Sequence, residues 1–367
     1  MKGTFKAAAA LSVLALLTAA CASAGSNNGG GGSTSPSAGA GSFSACMVTD
    51  TGGLDDKSFN QSSWAGLQAA QKADSSIQIK NLPSNSTADY AKNISTFIAQ
   101  KCGIIVTVGY LMGDATKAAA TANPNQKFAI VDFTYAPHNL PNVNTLVYNT
   151  VQDAFLGGYL AAGMTKTGKV ATYGGEQFGT VTIYEDGFWD GVQYYNQKHH
   201  KNVKVLGWDE KTQKGTFAGS FTDLGAGQRI ANTFITEGAD IIFPVAGGVG
   251  LGSAKAVQTA DSGGKNVNMM WVDTDGCISA AVYCKYFITS VEKGITESVK
   301  TSVLSAANGS FKGGNYIGTL QNGGAVLAPF HAPWKTHVPA SLQAELKTIQ
   351  SQIESGKIVP ATKSPVQ

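Results

Sequence analysis

From about residue 43 onward, short uninterrupted apolar runs alternate with longer stretches in which apolar residues recur every three or four positions. Runs without polar alternation predict strands buried on both faces of a parallel sheet, and the periodic stretches predict amphipathic helices. Cys46-Met47-Val48 opens as a strand, and a helix is expected from about Ser58 to Ala73, with Trp64, Leu67 and Ala70 on one face. A strand at 77–82 follows. Polar capping residues at 84–87 lead into a helix over Tyr90, Ile94, Phe97 and Ile98. Gly103–Gly109 is a wholly apolar strand, succeeded by an Ala-rich helix that Pro124 must stop. Strands are expected at Lys127–Phe133 and Val143–Tyr148.

The pattern then repeats. Helices are predicted at 152–164, 181–198, 225–236 and from the glycine turn 247–250 to about Ala260, separated by strands at 169–173, 203–208, 239–245 and 267–273. A strand at 287–291, a helix at 295–307 and a C-terminal helix at 342–353 complete the chain. The fold class is α/β: two doubly wound lobes with a hinge between them, able to close on a ligand. The expected division places 43–150 and 275–320 in lobe 1, and 151–274 and 321–367 in lobe 2. The span after residue 42, about 325 residues, exceeds one compact core.

Ahead of this lies an address. Lys2 and Lys6 precede an apolar run of about 11 residues, too short to span a bilayer. The run ends at Leu17-Thr18-Ala19-Ala20-Cys21, which predicts a lipoprotein signal over 1–21 with Cys21 acylated; an ordinary signal peptide is the alternative. Residues 22–42 read as a flexible Gly/Ser linker. An extracytoplasmic domain tethered to the cell membrane is the expected arrangement.

Composition narrows the partners. The net charge is +3 with no basic tract, so nucleic acid is not expected. A monomer is expected. Four cysteines follow Cys21 and allow three pairings. Adjacent strands favour Cys46 with Cys102, and a tight loop favours Cys277 with Cys284; metal binding is the alternative, though no histidine spacing joins them.

Candidate chemistry gathers where strands end, because ligands of open α/β sheets bind there. Asp50, Tyr110, Asp114, Gly247 and Asp273 all lie at or just after the carboxyl ends of expected strands. A carboxylate there can accept a pair of hydroxyls, and an aromatic can stack a flat ring. Phe59 and Phe221 occur in polar loops, where each either stacks a ligand or plugs its own core. Lys293 follows a strand end, either donating to a ligand oxygen or solvated. Of Asp55 and Asp56, one is expected to cap the first helix and the other to face water; paired acid/base catalysis and a metal cage with Asp50 are the competing readings. The glycine turns fit neither a phosphate loop nor a dinucleotide fingerprint, and no serine elbow is present. No cofactor is called for.

The loop Val48–Gln61, VTDTGGLDDKSFNQ, resembles the signature of the basic membrane protein family, the purine nucleoside receptor A-like substrate-binding lipoproteins of ABC transporters. Weaker matches follow in order at 153–162, 184–192, 219–223, 271–275 and 289–293. The resemblance implies a type I periplasmic-binding fold, purine nucleoside binding without chemistry, and an ABC permease as partner. It places ligand contacts on Asp50 and Phe59, with Ser58 and Asn60 beside them. A second stacking ring falls on Phe221, a glycine contact on Gly247, a ribose-binding carboxylate on Asp273 and a lysine on Lys293. The chain departs from the family at Asp153-Ala154, where Gly and Ser usually follow the acid, and in its extra cysteines; Trp208 competes with Phe221 for the stacking role. The same fold holding a sugar or other small signalling molecule, and a nucleoside hydrolase, are the alternative functions.

Overall fold

The computed structural model describes residues 43–364 and 366. The expected leader, Cys21 and linker lie outside the described residues. The first sheet contains β1 (Ser44–Thr49), β2 (Gln78–Leu82), β3 (Ile104–Val108), β4 (Lys127–Val131) and β5 (Val143–Tyr148). Around it run α1 (Phe59–Ala73), α2 (Tyr90–Ala99) and α3 (Gly113–Ala122). The second region begins with α4 (Val151–Met164), β6 (Lys169–Gly174), α5 (Gly179–His199) and β7 (Lys204–Leu206). It continues through a small hairpin of β8 (Trp208–Asp209) and β9 (Lys214–Gly215), then α6 (Leu224–Thr236), β10 (Ile241–Val245), α7 (Gly250–Ser262), β11 (Asn268–Asp273), α8 (Gly276–Ser279) and β12 (Phe287–Lys293). The chain returns to the first region for α9 (Ile295–Ala307) and β13 (Gly314–Gly318), and ends in the second with β14 (Ala325–Leu327), α10 (Trp334–His337) and α11 (Ala340–Glu354).

The strand orders are β13-β5-β4-β3-β1-β2 and β14-β12-β11-β10-β6-β7. All pairings within both sheets are parallel except β12 with β14. Each sheet therefore reverses its winding once, between β1 and β3 in the first and between β6 and β10 in the second. Those are the points at which such sheets open a crevice. Side-chain alternation fills both faces: Ala45 and Met47 join the core beneath α1 and α9, whereas Cys46 and Val48 join the core beneath α2 and α3.

One expected boundary is corrected. The expected division puts residues 275–293 in lobe 1, but β12 is hydrogen-bonded between β11 and β14 in the second sheet, so the crossover comes after Lys293. Three crossings run side by side there. Asn149 N donates to Gly318 O at 2.7 Å, and Gly294 N donates to Gly324 O at 2.9 Å. A Cβ on Gly324 would sit 2.2 Å from the Cα of Gly318, so this packing requires glycine. Bundling of the crossings is the geometry of a hinge.

Both expected disulfides are formed, Cys46–Cys102 and Cys277–Cys284. The first ties β1 to the residue before β3 across 56 positions. Its loop-entropy contribution is about 4 kcal/mol. Helices α4 and α5 meet through glycine: a Cβ on Gly158 would lie 1.9 Å from the Phe188 carbonyl oxygen, and one on Gly191 2.0 Å from that of Phe155.

The second lobe also buries acids without partners. Neither carboxylate oxygen of Asp153 in α4 or of Glu185 in α5 has a hydrogen-bond partner. Burial pushes both well above the usual carboxylate range. Glu292 is pushed up to about 7, first by burial and then by the charge of Asp275. A folded state that keeps protons the unfolded chain has released loses stability as pH rises from the unfolded value through the folded one. For Glu292 that window runs from about 4.5 to about 7. The melting temperature of the ligand-free protein, measured by scanning calorimetry, is therefore expected to fall by several degrees between about pH 5.5 and about pH 8. Glu185→Gln should reduce the fall, because the amide stands in for the neutral acid. A melting temperature that rises over this interval would contradict the assignment.

Candidate functional site

The carboxyl ends of both sheets face one cleft, with about 690 Å³ of empty space including its mouth. Its walls include Asp50, Phe59, Asn60, Tyr110, Phe221, Gly247, Asp273 and Lys293, eight of the ten residues singled out in the sequence.

The loop after β1 builds the first wall. Asp56 is buried, and its carboxylate accepts from the backbone N–H of Ser58 at 3.0 Å, Asn60 at 2.8 Å and Gln61 at 3.1 Å. These are the unsatisfied donors at the start of α1. Asp55 is exposed beside Lys57. The capping-and-solvated reading of this pair therefore describes the loop. With the helix end fixed, Asn60 Nδ2 donates to Asp50 Oδ1 at 2.8 Å, and Gly52 N donates to the same oxygen at 3.0 Å. Burial raises the Asp50 carboxyl above its usual value against these bonds. Gly109, at φ 114°, leaves room for the acid: a Cβ there would fall 2.6 Å from Asp50 Oδ2.

The second wall carries rings. Phe221 rests on Gly175, where a Cβ would come within 2.3 Å of its ring. Phe178, just ahead of α5, stacks near Phe221 at 6.3 Å between centroids and near Tyr110 of the first lobe at 5.4 Å. The rings thus form a strip across the cleft. Trp208 does not compete with Phe221. It is buried in the second lobe, with Nε1 donating to Asp186 at 3.0 Å and its ring edge against Phe217.

At the floor lies a buried charge cluster. Lys293, 7 % exposed, pairs with Asp132 of the first lobe and lies 3.7 Å from Asp273 of the second. Burial alone would lower the Lys293 amine, but these carboxylates more than offset it and hold it above its ordinary value. The amine also sits 5.2 Å from the Phe59 ring centre and 5.1 Å from that of Tyr184, within cation–π range. Asp132 and Asp273 both adopt left-handed backbone, with φ of 64° and 66°. Non-glycine residues held there concentrate at functional sites.

Ser58 and Asp114 do not line the cleft. Ser58 is fully buried, and its hydroxyl lies 2.7 Å from Asp273 Oδ2 and 3.1 Å from the Val272 carbonyl oxygen, so it holds Asp273 across the lobes. Asp114 is exposed in the first turn of α3 and is not among the cleft-lining residues. Asp132, Phe178 and Tyr184 are among the wall residues absent from the sequence candidates. Asp132 carried the same signal as Asp50 and Asp273, an acid directly after an apolar strand. It was hidden because the expected strand ran to Phe133, whereas β4 ends at Val131. Tyr184 reaches the floor from within α5, its hydroxyl donating to Asp273 Oδ1 at 3.1 Å.

Among the described residues, no helix is long and apolar enough to cross a membrane. The chain is 31% identical over 296 residues to the ABC transporter nucleoside-binding protein BmpA of Lactococcus lactis subsp. cremoris, covering 77% of this chain and 80% of that one. An ABC-transporter solute-binding protein from Aeropyrum pernix K1 superposes with a TM-score of 0.77 at 22% identity, covering 87% of this chain and 94% of the other. The arabinose-binding protein AraP of Geobacillus stearothermophilus gives 0.57 at 15%, covering 81% and 99%. At these identities the structures speak for the fold, which is that of periplasmic-binding-type ABC solute receptors. The profile of the PnrA-like ABC transporter substrate-binding proteins matches residues 43–363, and the chain belongs to that family, the basic membrane proteins.

Proposed function

We propose that the protein captures a purine nucleoside in this cleft and delivers it to an ABC permease, held near the membrane by a lipid on Cys21. The observation that carries this reading is the pairing of two unlike halves in one cavity: flat aromatic walls above, and a buried cluster of carboxylates with one lysine below. A nucleoside has the matching halves. Its base stacks between Phe59 and Phe221, and its ribose hydroxyls donate to Asp273 and accept from Lys293, with Asp50 and Asn60 toward the base. The nucleoside-binding name of the lactococcal relative supports this choice.

AraP shares the fold, and a free sugar is the second reading. A sugar suits the acidic floor but leaves the Tyr110–Phe178–Phe221 strip without a flat partner. Hydrolysis is also disfavoured. The matching family is one of substrate-binding proteins, and Asp132 is engaged by Lys293 rather than free to activate water.

Calorimetric titration tests the assignment of the two halves. Phe59→Ala is expected to weaken guanosine or adenosine binding by about 1–3 kcal/mol, the worth of a lost base–aromatic stack. Unchanged affinity would remove Phe59 from the sandwich. Asp273→Asn should weaken nucleosides far more than the corresponding free bases; equal losses for both would remove Asp273 from the ribose.

A further inference from the structure

The two disulfides differ in how solvent meets them. Cys46 and Cys102 are buried between β1 and the helices covering it. Cys277 and Cys284 are half-buried and close a loop whose Ile278 and Val282 stand 77% and 81% exposed. A dissolved reductant therefore reaches Cys277–Cys284 much more readily, and exposed disulfides are the labile ones.

Two further metal-ligating groups stand beside Cys277. Asp275 caps α8, its Oδ1 accepting from the Cys277 N–H at 2.9 Å. Its Oδ2 lies 2.6 Å from Nε2 of His331, which arrives from the segment before α10 and is partly exposed. The Cys277 sulfur, an Asp275 oxygen and a His331 ring nitrogen all lie within 4.8 Å of one another. None of the three lines the ligand cleft. While the disulfide is intact its sulfurs offer no thiolate, and only the carboxylate and the imidazole remain as donors.

We propose that reduction of Cys277–Cys284 turns this corner into a binding site for a thiophilic divalent cation, Zn²⁺ above all, with Cys277, Cys284, His331 and Asp275 as ligands. In the opening step a dithiol reductant gives two electrons to the Cys277–Cys284 bond, which breaks. The reductant closes its own disulfide, and its two protons pass to the two cysteine sulfurs. Zn²⁺ then displaces both protons to solvent and takes two thiolates, one imidazole and one carboxylate. Four such donors meet the tetrahedral preference of zinc. Sulfur and imidazole select against Mg²⁺ and Ca²⁺, which favour all-oxygen sites. The Cys284 sulfur, bonded to that of Cys277 and outside the 4.8 Å group, turns toward the other donors once the bond is broken.

The test is Co²⁺ titration of the purified protein before and after treatment with dithiothreitol, with excess reductant removed under anaerobic conditions. The reduced protein is expected to show a thiolate-to-cobalt charge-transfer band and tetrahedral visible bands, saturating at one equivalent and abolished by Zn²⁺. The unreduced protein should show neither. The partly exposed His331→Ala variant should bind Zn²⁺ weaker by more than the ~10-fold typical of losing even an outer-shell partner. The double variant Cys277→Ser, Cys284→Ser should lose the charge-transfer band. Reduced, folded protein without the band overturns the proposal. So does Zn²⁺ affinity unchanged in His331→Ala, equal binding before reduction, or loss of the native circular dichroism on reduction, since the site exists only in the fold.

Discussion

A buried amine must have its charge answered by the protein, and Lys293 is answered from both lobes. It ends β12 in the second sheet, one residue before the chain crosses back. Its close partner Asp132 follows β4 in the first sheet, and Asp273 ends β11 in the second. Removing one member of a buried ion pair leaves an uncompensated charge, at a cost of several kcal/mol. The amine is therefore satisfied fully only when the lobes are together. Ser58 reaching across to Asp273, and Trp271 Nε1 donating to the Lys57 carbonyl oxygen at 2.9 Å, reinforce the same closure. Assembly of the cleft floor and approach of the lobes are one event.

Around that floor the local chemistry is built backward from the helix ends. Asp56 looks at first like the reactive group of its loop, yet it satisfies the start of α1. That frees Asn60 to orient Asp50 and leaves Phe59 on the cleft wall. On the other side Gly175 gives the Phe221 ring its seat. Each wall thus depends on a residue that touches no ligand in the proposed arrangement.

The strand cores were legible because Gly103–Gly109 and its counterparts are apolar on both faces, a pattern that neither an amphipathic helix nor a half-solvated strand produces. The acids at strand ends were legible for the same reason: a carboxylate directly after such a run has nowhere to go but the crevice. That rule failed where a boundary slipped, at Asp132. It also overreached at Asp114, where one further turn of helix carried the side chain out to solvent. Phe178 carries the same signal as Phe59 and Phe221, an aromatic in a polar loop after a strand end. The short strands β13 and β14 were missed because three to five residues with partial exposure make no apolar run. The lobe to which β12 belongs is a matter of sheet pairing, which periodicity does not encode.

The central claim is that one cleft recognises a base and a ribose together. Its most direct test is calorimetric titration of ligand-free protein with guanosine, adenosine and inosine, and in parallel with free ribose and arabinose. Saturable one-to-one binding of at least one purine nucleoside, with no detectable heat from either sugar, is the expected result. Tight binding of a free sugar, or silence toward all three nucleosides, would contradict it.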